Sequence, residues 1–84
     1  MVQATVGLDA VVHARNRLYW GTLERYLAGD GYGFIANDDG GDDFVHWKQF
    51  NQFRIKPRIG LRLQYHLIQD DDGRPQATNL LVIE

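Results

Sequence analysis

The chain has 84 residues, no cysteine, and a formal net charge of −2 from 9 Lys and Arg against 11 Asp and Glu. Disulfides and thiolate metal sites are thereby excluded, a single domain with one modest core is expected, and there is no overall electrostatic pull towards nucleic acid. No apolar run approaches the roughly 18 residues of a membrane span. The first residues lack the basic-then-apolar order of a secretory signal, so the expected location is cytoplasmic.

Residues 1–16, "MVQATVGLDAVVHARN", are weakly apolar and form an N-terminal extension. They fit a short helix or an extra strand equally well, because apolar runs this short do not separate the two. From Arg17 the pattern is β. Arg17–Leu27 is rich in aromatic and branched residues, and Ala28-Gly29-Asp30 ends it. Gly31–Asn37 reads as a second strand, Asp38-Asp39-Gly40-Gly41-Asp42 as a turn, and Asp43–Trp47 as a third strand. Lys48–Pro57 reads as irregular, with Pro57 against regular pairing. In Arg58–Gln69, Leu61, Leu63, Tyr65 and Leu67 alternate with polar neighbours; Asp70-Asp71-Asp72-Gly73 is a turn, and Pro75–Ile83 a fifth strand. Five short strands with no helix after residue 16 predict an all-β chain closing as a small barrel over 17–84.

The second and third strands carry the candidate site. Side chains alternate faces along a strand, so a hairpin across the acidic turn puts Tyr32, Phe34, Phe44 and His46 on one face, with Ile35 and Val45 inward. Such a face either packs on another element or a second copy, or serves as a stacking platform for unpaired bases, whose π-faces are each worth roughly 1–3 kcal/mol. Glycines between the rings suit the second reading, since they admit a ligand close to the backbone.

Gly31-Tyr32-Gly33-Phe34-Ile35 and Phe44-Val45-His46-Trp47 resemble the paired ribonucleoprotein motifs of the cold-shock domain, K-G-F-G-F-I and V-F-V-H-F. Gly21–Tyr26 falls at that family's G-x-V-K-W-F, and Gly73–Leu80 resembles its closing G-P-x-A-x-N-V; together the likeness spans about residues 17–82. It implies a five-stranded antiparallel OB-type Greek-key barrel. The implied function is single-stranded RNA or DNA binding, as in RNA chaperones, antiterminators or translation regulators. The implied nucleic-acid-binding residues are Arg25, Tyr26, Tyr32, Phe34, Phe44, His46, Trp47, Phe53 and Arg74. RNA-recognition-motif domains use similar aromatics, but that fold needs two helices for which this chain has no room.

Three positions depart from the family pattern. Asp30 and Glu24 stand where the family has lysines, and Arg25 stands where it has a stacking tryptophan. Each lost lysine removes salt-dependent attraction to phosphate, while a guanidinium can stack on a base or pair with phosphate. Strand parity from Leu23 points Arg25 inward unless a bulge intervenes. Parity also turns Trp47 inward, although the likeness puts it at the ligand surface. Trp20 is expected in the core or over a barrel end, Phe50 in packing, Phe53 towards ligand. Lys48, Arg54, Lys56, Arg58 and Arg62 are candidates for a basic rim or a solvated face.

Nothing in the sequence asks for catalysis. The aspartate clusters miss the alternating ligand spacing of a calcium loop, the three histidines lack zinc spacing, and no nucleophile motif or phosphate loop is present. No enzyme activity and no cofactor is expected. The rival reading is a protein-interaction barrel, favoured by Asp30 and Glu24, in which the aromatic face binds protein and the N-terminal extension pairs two copies as a homodimer.

Overall fold

The computed structural model describes residues 17–69 and 73–83. The expectations for residues 1–16, including a dimer made through them, and for the tip of the Asp70–Asp72 turn lie outside the described residues.

Five strands form in the expected order: β1 (Tyr19–Leu27), β2 (Tyr32–Asn37), β3 (Asp42–His46), β4 (Arg62–Gln69) and β5 (Pro75–Val82). They close into a barrel in the order β1-β2-β3-β5-β4. Neighbours pair antiparallel except β3 and β5, which run parallel and are registered at Phe44↔Gln76. The barrel is therefore of the OB type, mostly rather than wholly antiparallel.

Inward positions explain the closure. Leu23, Ile35, Val45, Leu61, Leu63, Tyr65, Ala77 and Leu80 fill the interior, contributed by all five strands and the approach to β4. The alternation of β4 is as expected, with Leu63 and Tyr65 buried. Full burial of such side chains is worth roughly 1.5–3 kcal/mol each, which gives this small chain its one core.

The joints follow from turn chemistry. Asn37 Oδ1 accepts from the Asp39 amide at 2.8 Å, and Gly40 and Gly41 take positive φ of 110° and 80° to complete the β2–β3 turn. On β4, Arg62 donates two 2.8 Å bonds to Asp38 and a 3.1 Å bond to Thr22 Oγ1, fastening this turn to β1 and β4. The Arg62 guanidinium holds the Asp38 carboxyl below its ordinary value. A rim role for Arg62 is thus replaced by a structural one.

Two expectations are corrected. The segment expected to be irregular begins with a short helix, α1 (Trp47–Gln52), which drops Phe50 onto the core at 2% exposure. Trp20, expected in the core or over a barrel end, is not in the core: it points outward at 42% exposure, because its neighbours Tyr19 and Gly21 take the inward positions. Among the described residues no helix is long and apolar enough to cross a membrane.

Candidate functional site

The β2–β3 hairpin forms in the register that the aromatic face requires, with Tyr32 opposite His46 and Phe34 opposite Phe44. Ile35 and Val45 are completely buried beneath it. Above them the three rings hold one another. Tyr32 stacks on Phe44 at 5.2 Å and 27°, and Phe34 meets both edge-on at 5.8 and 6.0 Å. Each ring is half-buried. The mutual contacts fix the rotamers, since aromatic pairs add about 0.5–1.5 kcal/mol beyond area burial.

Two guanidinium groups cover this cluster. Arg74 lies 5.2 Å from the Phe44 centroid and Arg25 lies 5.3 Å from the Phe34 centroid. Arg25 faces outward because of a β-bulge. Leu23 pairs with Ile35, but the next pair is Arg25↔Phe34, so Glu24 is an extra residue and the parity of β1 reverses. Glu24 and Arg25 are both exposed as a result. Asp42 on β3 lies close enough to raise the Glu24 carboxyl above its ordinary value.

His46 ends β3 and caps α1: its Nδ1 accepts from the Lys48 amide at 3.2 Å, which leaves the neutral ring's proton on Nε2. Helix initiation also overturns the inward placement that parity gave Trp47. Strand alternation stops at His46, so Trp47 turns outward at 41% exposure, 5.8 Å from the His46 ring. With Tyr26, Ala28, Gly29, Asp30 and Gly31 it lines a cleft of about 420 Å³ beside the β1–β2 turn.

The glycines between the rings have a different role from the expected one. A Cβ on Gly33 would sit 2.4 Å from the Arg25 carbonyl oxygen and 3.0 Å from the Tyr26 ring; one on Gly31 would sit 2.7 Å from Trp47. The room they leave is taken by β1, Tyr26 and Trp47, and Gly31 also needs its φ of 79°.

Of the remaining candidates, Tyr26 stands apart from the three-ring cluster, packed edge-on against Phe50 at 5.5 Å. Phe53 is half-buried at the end of α1, packed against the core. The structure therefore gathers Arg25, Tyr32, Phe34, Phe44 and Arg74 into one surface. His46, Trp47 and Tyr26 follow it to one side, and Phe53 lies beyond α1.

Sequence reasoning missed Asp43. Read only as the first residue of the third strand, within an acidic cluster, it is half-buried and accepts from Asn37 Nδ2 at 2.8 Å and from the Tyr65 hydroxyl at 2.6 Å. Burial, followed by the Asp43 bond, pushes the Tyr65 phenol upward, so it remains a donor. No motif marks this pair; only the closed barrel brings β3 and β4 residues together.

Residues 19–83 match the family model described as the "'Cold-shock' DNA-binding domain". A cold shock-like protein of Thermotoga maritima is 34% identical over 64 residues, covering 76% of this chain and 97% of its own. Cold shock protein 2 of Lactiplantibacillus plantarum is 40% identical over 62 residues, covering 71% and 91%. Cold shock protein CspA of Staphylococcus aureus is 34% identical over 62 residues, covering 73% and 92%.

Proposed function

The chain belongs to the "cold-shock" DNA-binding domain family, whose chemistry is nucleic-acid binding in general, and from that premise we propose that it binds single-stranded RNA or DNA on the outer face of the β2–β3 hairpin. The observation that carries this reading is the packed, half-buried cluster of Tyr32, Phe34 and Phe44 on the outer face, with two displaceable guanidinium groups over Phe34 and Phe44. Pre-arranged rings stack bases with little ordering cost, and stacking tolerates any base because every base has a π-face. A duplex offers no free base faces, so the ligand is single-stranded. The His46 Nε2–H would donate to a base or phosphate, and the cleft between Tyr26 and Trp47 would take a base at one end of the row. Arg74 would supply phosphate contact, with a smaller electrostatic share than a lysine-rich face, because Glu24 and Asp30 border the site. By this reading the domain acts without catalysis, keeping strands unpaired or occupying them. That suits an RNA chaperone or regulator of expression.

The test is a tryptophan-fluorescence titration with a short oligothymidine, then a mixed-sequence RNA, at low and high salt. A Trp20→Phe variant isolates the Trp47 signal. Saturable quenching that survives in this variant and weakens with salt is expected. A flat response to both oligonucleotides overturns the reading.

A further inference from the structure

We propose that Arg25 gives this surface a preference for guanine, by presenting its guanidinium fork to the O6 and N7 edge of a base stacked on Phe34. The inference rests on the reading above and adds a base identity to it.

The bulge in β1 puts two consecutive side chains, Glu24 and Arg25, on the outer surface. The Arg25 guanidinium rests over the face of Phe34, at 5.3 Å, where a base would stack. The attraction of a cation for an exposed ring is weak. An incoming base therefore takes the ring face and displaces the guanidinium sideways, to its own edge. Two acceptors are then open to the fork: a phosphate or a base edge.

The neighbours decide between them. Glu24 adjoins Arg25 in the chain, and Asp42, which pairs with the small Ala36 of β2, is the second carboxylate on this side and acts on Glu24. Asp38 lies farther along, neutralised by Arg62. A phosphate beside Arg25 would approach Glu24 and Asp42 and be repelled, whereas an uncharged base would not. On the major-groove edge, guanine alone among the bases offers two adjacent acceptors, O6 and N7, matched to the fork. Adenine replaces O6 with a donor amine, and thymine offers single acceptors. An indole at this position would stack on any base; a guanidinium with carboxylates around it selects.

The experiment titrates the full chain with a thymidine heptamer, with the same heptamer carrying one guanosine at each position in turn, and with the adenosine series. In the wild type, the best guanosine position should bind about tenfold tighter than oligothymidine, with adenosine gaining little. Arg25→Lys keeps the charge but not the fork, so the guanosine advantage should fall below about twofold while the salt dependence stays unchanged. Arg25→Trp should bind the thymidine heptamer well without preference. Equal affinity across the wild-type series overturns the guanine preference and leaves strand binding standing. So does an equal gain from adenosine, or a guanosine advantage retained in Arg25→Lys. Failure of every oligonucleotide to bind overturns strand binding itself, and the preference with it.

Discussion

Two outward walls of this barrel carry exposed apolar side chains, and only one is organised. On the β2–β3 wall, Tyr32, Phe34 and Phe44 touch one another and are each half-buried. On the β1–β4–β5 wall, Trp20 and Leu81 are more exposed, at 42% and 55%, yet stand on either side of Gln64 in register and Trp20 makes no ring contact among the described residues. Exposure of single apolar groups is ordinary in folded proteins. What distinguishes a stacking surface is that its rings are already held in place by each other, so a ligand need not order them.

The comparison breaks most sharply at Phe34 and Phe44. Replacing both with alanine would remove two of the proposed stacking positions, each worth roughly 1–3 kcal/mol, so affinity for a single strand should fall by about 30-fold or more. Neither ring belongs to the buried interior, so circular dichroism should still report a folded barrel. Loss of the fold in that variant would make these rings structural and erase the distinction between walls.

A smaller effect, on stability alone, is expected inside the barrel. Tyr65→Phe deletes the 2.6 Å bond to Asp43 but leaves the Asn37 contact. Bonds to charged groups are worth roughly 1.5–3 kcal/mol, and the lower end is expected in urea unfolding, with strand binding intact. An equal loss of binding would tie the platform to the interior more closely than the geometry suggests. The smallest effect belongs to the other wall. Trp20→Ser should leave affinity within about twofold, as for other surface changes; a larger fall, in titrations read by anisotropy of a labelled strand, would extend the interface there.

Much of this arrangement was legible in the sequence, because its signals are local. Gly-rich acidic turns delimited β2 and β3, and period-two alternation set Ile35 and Val45 inward with the rings outward. The segments that escaped are those where one local event changes parity. The extra residue at Glu24 turned Arg25 outward, and neither Glu24 nor Arg25 is a residue type that announces a bulge. The start of α1 turned Trp47 outward. That helix has six residues, too few for a 3.6-residue period to show, and its cap is His46 instead of Ser, Thr, Asp or Asn. Gly33 was read as room for a ligand because sequence cannot show that β1 crosses there at close range. The Asp43–Tyr65 bond joins residues 22 apart, a pairing only closure creates.

Closure itself has a weak joint. Strands β3 and β5 meet in parallel with one registered pair, Phe44↔Gln76, whereas every other junction has four or more. Additional fastening comes from α1, whose Gln49 accepts from Thr78 Oγ1 at 3.0 Å, and from Arg74 reaching over Phe44. Backbone amides along this joint should be the first in the barrel to exchange with solvent, because local opening there breaks the fewest bonds. Any molecule that grips Phe44 and Arg74 together spans the joint like a splint. Its binding free energy is then also opposed to opening of the barrel, and occupancy of the surface and lifetime of the closed fold rise together.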